Sequence, residues 1–168
     1  KTILWGAGVK ASAMGKILSE ATGVKLDPVG RVMVNKDFSI PDYGNIFVIG
    51  DLARLKDGKD FLPGVATVAM QSGEFVAQLI KNRTSKAKRY KKEFKYKNKG
   101  SLAVIGRNKA VADLGYFTSK GFIAWILWIF IHILYLVGFG SKVSVVTKWA
   151  LSYFNQDKGN RLIFSNKQ

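Results

Sequence analysis

Glycine and aspartate side by side at the end of an apolar run are the residues of this chain best suited to chemistry. Ile46-Phe47-Val48-Ile49 is followed directly by Gly50-Asp51. A glycine lets a ligand approach the backbone closely, and an ionised carboxylate accepts hydrogen bonds from ligand hydroxyls. Further on, Leu62-Pro63-Gly64 predicts the opening of a helix, because proline suits the first helical position. Val65, Ala66, Val68, Ala69, Phe75 and Val76 give that helix a largely apolar body, and its first turn offers free N–H groups and the positive end of a dipole. A strand end with one carboxylate beside a helix N-terminus suits a cofactor that carries hydroxyls and develops negative charge.

Other chemistries find little support. The absence of cysteine removes disulfides, thiolate metal sites and thiol redox steps together. A single histidine, His132, and scattered acids offer no metal-ligand cluster. His132 sits among apolar residues and reads as a helix-packing side chain with one satisfied nitrogen, not as a proton donor. Asp57 and Asp60 are close in sequence, but a solvated loop before a helix explains them, with Asp60 favouring the helix start by its charge. No catalytic side chain is assigned.

The elements that must position Gly50 and Asp51 follow from periodicity. Residues 46–49 read as a central strand of an α/β sheet, and ligands of such sheets bind beyond the carboxyl ends of the strands. Upstream, residues 2–5 form a short strand ended by Gly6-Ala7-Gly8, and residues 10–20 an amphipathic helix broken by Gly23 and Pro28. Residues 31–34 form a strand and Asn35-Lys36-Asp37 a turn. Residues 54–60 are expected as a polar loop, and the helix after Pro63 runs to about Asn82. A chain of 168 residues fits one domain or two small pieces.

The net charge of +16 is uneven: residues 1–80 hold nine Lys and Arg against eight acids, and residues 81–168 eighteen against three. The second half should therefore meet a polyanion, nucleic acid or an anionic membrane surface. Residues 81–99 carry ten Lys and Arg interleaved with Tyr90, Phe94 and Tyr96, a pattern compatible with an RNA platform. The period-two run Phe94-Lys95-Tyr96-Lys97 instead predicts a basic-faced hairpin, pairing with Leu102-Ala103-Val104-Ile105 across Asn98-Lys99-Gly100. Residues 121–140 hold no charge, long enough for a membrane span by hydropathy. Trp125, Trp128, His132 and Tyr135 nevertheless recur on one helical stripe, and a second helix over residues 144–154 has Lys142 and Lys148 nearby. Those features favour helices lying in the membrane interface.

The stretch Ile46-Phe47-Val48-Ile49-Gly50-Asp51-Leu52-Ala53 resembles the second FAD motif of flavoproteins with two dinucleotide-binding domains. Leu62-Pro63-Gly64-Val65-Ala66 with Val68-Ala69-Met70-Gln71-Ser72-Gly73 is similar to the quinone-side segment of type II NADH dehydrogenases. So are Trp5-Gly6-Ala7-Gly8-Val9, Gly100-Ser101-Leu102-Ala103-Val104-Ile105-Gly106-Arg107, Ala124-Trp125 and Arg161-Leu162-Ile163. The resemblance implies the C-terminal portion of such an enzyme, the opening residues 1–4 reading as the inside of a strand. It implies an α/β fold: the end of a Rossmann-like FAD/NAD(P)-binding flavoprotein, with a small β-hairpin and C-terminal membrane-associating amphipathic helices. Residues 1–24 would end the NADH-binding domain, 25–82 the FAD-binding domain, and 83–168 would hold the hairpin and anchoring helices.

Function is implied in the same way: hydride passes from NADH to FAD, and two electrons to a membrane quinone, without proton pumping. Gly50 and Asp51 would bind the ribityl or phosphate part of FAD, with the Val68 and Ala69 backbone at the flavin pyrimidine edge and Lys99 nearby. Ala7 and Gly8 would pass close to the nicotinamide. Gln71 would contact the quinone, as would Thr67, which stands where the family segment often has a glutamine and has a shorter reach. Partners would be membrane quinone and anionic lipid, with no nucleic acid, and a homodimer through the C-terminal region. The location would be the cytoplasmic face of the inner membrane, peripheral or monotopic. No Gly-x-Gly-x-x-Gly occurs, so the ADP ends of FAD and NADH have no seat in these residues, and the chain alone should be colourless and inactive. A non-enzymatic membrane adaptor and a nucleic-acid module are the alternatives, separated by the upstream sequence and by vesicle against oligonucleotide binding over a salt series.

Overall fold

The computed structural model describes residues 8–85, 93–136 and 138–155, which fall into two units, Lys1–Asn98 and Lys99–Gln168. The strand expected at residues 2–5 lies outside the described residues, as do the middle of the basic segment and residues 156–168.

In the first unit, α1 (Met14–Thr22) starts later than the expected residue 10 and turns Leu18 inward. It ends where Gly23 takes φ 75° and its N–H closes on Ser19 O at 2.8 Å, a left-handed cap that costs glycine nothing. Asp27 organises the turn that follows. Its carboxylate accepts from the Val29 and Arg31 N–H groups at 3.1 and 2.8 Å and pairs with the Arg31 guanidinium at 2.7 Å.

That turn leads into β1 (Val32–Val34), which pairs in parallel with the later strand β4 (Ala53–Asp57). Between them, β2 (Ser39–Ile40) and β3 (Tyr43–Phe47) form an antiparallel ribbon. The strand expected at 46–49 is therefore shifted and ends at Phe47. Among the described residues it pairs only with β2 and is not the centre of a larger sheet. The turn at Pro41-Asp42, with Asp42 at φ 64°, brings Ile40 opposite Tyr43 and draws the strand start back.

Residues 54–60, expected as a loop, are a hairpin: β4 turns through Gly58-Lys59 into β5 (Asp60–Phe61), with Asp57 opposite Asp60. Only Leu55 of this stretch is buried, too little apolar signal to reveal a strand by composition. Arg54 lies over the Phe61 ring at 4.0 Å and adds a cation–π contact.

The next helix, α2 (Ala66–Thr84), opens three residues beyond Pro63, because Val65 is still extended at φ −131°. Its inner face carries Val68, Val76 and Leu79. The Phe38 ring is buried at φ 64°, an unusual conformation for a bulky residue. It is held edge-on by Phe75 and Phe94, with centroids at 6.3 and 4.9 Å. Phe94 and Tyr96 thus alternate inward as their period predicts, but against this core and not in a hairpin with residues 102–105. The Phe94 N–H donates to Lys36 O at 2.9 Å, and Lys36 pairs with Glu93 at 2.8 Å.

In the second unit, β6 (Ser101–Gly106), β7 (Lys109–Asp113) and β8 (Thr118–Gly121) form an antiparallel meander. The tight turn falls at Arg107-Asn108, where Asn108 takes φ 60°, a conformation asparagine tolerates. Ala110 and Ala112 of β7 meet Ala124 of α3 (Phe122–Tyr135), and these small side chains let the helix lie close on the sheet. α4 (Phe139–Asn155) follows, starting before the expected residue 144.

The uncharged run is thus divided, with Gly138 at φ 83° in the corner between the two helices. At 1.5 Å per residue, α3 is about 20 Å long, short of the roughly 30 Å hydrocarbon core. Among the described residues, no helix is long and apolar enough to cross a membrane.

Candidate functional site

Gly50 takes φ 67°, and with Asp51 and Leu52 forms a single 3₁₀ turn between β3 and β4. The turn packs on the first part of α2. A Cβ on Gly50 would come 3.8 Å from the Ala69 Cβ, and the Gly50 N–H points to the buried Ser72 hydroxyl at 3.4 Å. Ser72 in turn donates to Ala69 O at 2.8 Å. Asp51 is exposed, its Oδ1 3.8 Å from where a Gly64 side chain would begin, so the carboxylate stands at the entry to α2.

Inside α2, the Val68 and Ala69 N–H groups both close on Val65 O, at 3.0 and 3.1 Å. Those of Ala66 and Thr67 lie ahead of the first closed turn and keep the donor character of a helix N-terminus. Val68 is buried and Ala69 partly so.

Thr67 and Gln71, one helical turn apart, meet residues 94–98. The Thr67 hydroxyl is 2.8 Å from the Tyr96 hydroxyl. The Gln71 Nε2 donates to Lys97 O at 3.0 Å, and its Oε1 accepts from the Lys97 N–H at 3.0 Å. Gln71 therefore substitutes for a strand partner along this stretch. Tyr96, expected in a basic hairpin, instead meets Thr67 beside the start of α2. The signal that could have found it is the inward period of Phe94 and Tyr96, read against an apolar helix and not against the following strand.

The fold thus brings Gly50, Asp51, Thr67, Val68, Ala69 and Gln71 together at one end of α2. Gly8 is exposed with no atom within 4 Å of its Cβ position, and Ala7 lies outside the described residues. Lys99 belongs to the second unit, where its ammonium donates to the Tyr135 hydroxyl at 3.3 Å and lies 5.5 Å from that ring's centroid. His132 is exposed, with Nδ1 2.8 Å from Trp128 O one turn back in the same helix, so one ring nitrogen is satisfied but the side chain is not packed away. No group of acids and histidines among the described residues could hold a metal ion.

The second unit carries an apolar face. Ile123, Ile126, Phe130 and Leu134 of α3 are exposed, and so are Phe139, Val143, Val146 and Leu151 of α4. The expected Trp stripe is partly turned inward: Trp125 packs on the alanine layer, and Trp128 stacks on Trp149 with centroids 5.4 Å apart.

The donor set at α2 can be tested against a flavin. A free carboxylate, two open helix N–H groups and a glycine with positive φ fit a ligand presenting hydroxyls on one side and carbonyl oxygens on the other. The ribityl chain and pyrimidine edge of FAD are groups of that kind. The same residues do not fit its pyrophosphate, which needs a glycine-rich loop that the sequence lacks.

Residues 98–156 match the family model of the NDH2 C-terminal domain. The type II NADH:quinone oxidoreductase Ndh of Mycobacterium tuberculosis is 40% identical over 161 residues, 95% of this chain and 34% of the relative. The type II NADH:quinone oxidoreductase of Staphylococcus aureus is 38% identical over 113 residues, 66% of this chain and 26% of the relative. A solved structure of NDH2 from Plasmodium falciparum in complex with NADH superposes with a TM-score of 0.72 at 18% identity, covering 95% of this chain and 46% of that one. The chain spans about a third of the length of the curated relatives it matches most fully.

Proposed function

Since the chain is homologous to the C-terminal region of the type II NADH:quinone oxidoreductase family, we propose that it is the part of such an enzyme that closes the flavin site and meets the membrane quinone. The observation that carries this reading is the seating of Gly50-Asp51 against the open end of α2. Bound FAD would supply the hydride and electron chemistry between NADH and quinone. Asp51 and Gly50 would hold the hydroxyl-bearing chain of the cofactor, and the Val68 and Ala69 backbone would border its pyrimidine edge. The Ala66 and Thr67 N–H groups would stabilise negative charge on the reduced cofactor, an effect of about 0.3–2 kcal/mol at helix termini. Thr67 and Gln71 would contact the quinone, through the hydroxyl of the one and the carboxamide of the other. Ala7, Gly8 and Lys99 are assigned to the nicotinamide and flavin surroundings on family pattern alone.

The apolar face of α3 and α4 supports attachment to one membrane surface, cytoplasmic in a bacterium. There the exposed aliphatic and phenylalanine side chains enter the interface, and Lys142 and Lys148 lie at headgroup level. A homodimer through this region would cover the same face. The reading is tested in the full-length protein by Asp51→Ala. The variant should lose most of its flavin on desalting while the wild type keeps it, and equal retention would contradict the assignment.

A further inference from the structure

Resting on the flavin and quinone reading above, the geometry points to a further quinone-binding residue, Tyr96, whose phenol forms with the Thr67 hydroxyl a paired hydrogen-bond donor for a quinone carbonyl at the open end of α2. The two oxygens are 2.8 Å apart. Two hydroxyls carry two protons, and one contact between them uses only one, so the second O–H is left to donate to a third group. The hydroxyl that accepts within such a pair is polarised into a better donor outward.

Thr67 is the second residue of α2, so the pair stands in the first turn, where the positive end of the helix dipole acts. This arrangement suits an acceptor that gains negative charge as it is reduced, as a quinone oxygen does. It does not suit a cation.

Tyr96 reaches Thr67 because the chain is fixed on both sides of it. Phe94 is wedged against Phe38 and Phe75, with ring centroids at 4.9 and 5.5 Å. Lys97 is held through both backbone groups by the Gln71 carboxamide. Gln71 is then a positioning residue for the phenol, with one N–H still available for the quinone contact assigned above.

The test uses the full-length protein with Tyr96→Phe, which keeps the ring in the core and removes only the hydroxyl. Three quantities are read: KM for a short-chain ubiquinone, Kd for a non-reducible quinone analogue by quenching of tryptophan fluorescence, and the NADH-to-ferricyanide rate, which bypasses the quinone. The expected result is a 3- to 10-fold rise in quinone KM and analogue Kd, the size of one hydrogen bond (about 0.5–1.5 kcal/mol), with any loss confined to quinone. Thr67→Val should behave alike, and Thr67→Ser should recover affinity by restoring the hydroxyl. Unchanged KM and Kd in Tyr96→Phe, or a matching loss with ferricyanide, would overturn the assignment. A wild-type protein that reduces ferricyanide but no quinone would overturn the quinone reading beneath it as well.

Discussion

Gln71 pairs with Lys97 as one strand residue pairs with another, its carboxamide donating to the Lys97 carbonyl and accepting from the Lys97 N–H, both at 3.0 Å. A side chain on a helix thereby satisfies the backbone of an extended segment that has no sheet partner among the described residues. Gln71→Met removes both bonds and should destabilise the first unit by about 1–3 kcal/mol. Gln71→Glu keeps an acceptor for the Lys97 N–H but has no donor for its carbonyl. Hydrogen exchange should therefore show the Lys97 amide exposed in the methionine variant and still protected in the glutamate variant. Equal protection in both would contradict the pairing.

Asp27 gives a pH signature of the fold. Burial, with the side chain 8% exposed, works to raise its carboxyl pKa. Hydrogen bonds from the Arg31 backbone and guanidinium, and the Arg31 charge, outweigh it and hold the pKa below the ordinary 3.8. A depressed folded-state pKa means the contribution is fully present above the ordinary value and is lost as pH falls through the lowered one. Asp27→Asn should thus be less stable than wild type near neutrality, by about 1–3 kcal/mol, with the gap closing below pH 3.8 in urea melts. A gap that widened in acid would have the wrong sign.

Gly100 is fixed by space as well as by its φ of 88°, since a Cβ would run into the Asp113 carbonyl and lie 2.7 Å from the Leu114 Cα. Both neighbours are backbone and cannot swing aside. Gly100→Ala should cost the second unit about 2–4 kcal/mol, whereas Gly106→Ala meets nothing within 4 Å and has a negative φ, so it should be tolerated. Thermal melts of the two variants check the contrast.

The membrane proposal separates side chains that face outward from those that pack. Phe130 of α3 is 59% exposed, while Trp149 is engaged with Trp128. Phe130→Asp should weaken binding to anionic vesicles about 10-fold or more, as expected for losing one inserted large side chain, and Trp149→Phe should change it little. If Trp149→Phe alone abolished flotation, the aromatic stripe and not the aliphatic face would be the attachment.

Much of this arrangement can be read from residue types alone. The Gly50-Asp51 corner, the apolar body of α2, the cap at Gly23 and the two C-terminal helices follow from local patterns that need no distant partner. The β4–β5 hairpin does not, because Arg54, Lys56 and Asp57 are charged and only Leu55 is buried. Tertiary contacts decide the rest. Val65 stays extended despite Pro63, Asp42 turns early enough to move β3, and the Phe38–Phe75 pair captures Phe94 before it can pair with β6. The Trp128–Trp149 stack shows the same limit, since periodicity locates a stripe but does not say which stripe a neighbouring helix will cover.

The central claim, a flavin held at the Gly50-Asp51 corner and emptied into quinone, is tested most directly by the visible spectrum of the full-length protein. A flavin absorption band should be present, bleach on adding NADH without oxygen, and return on adding a ubiquinone analogue. A protein with no flavin band, or one bleached by NADH that no quinone restores, would contradict the account.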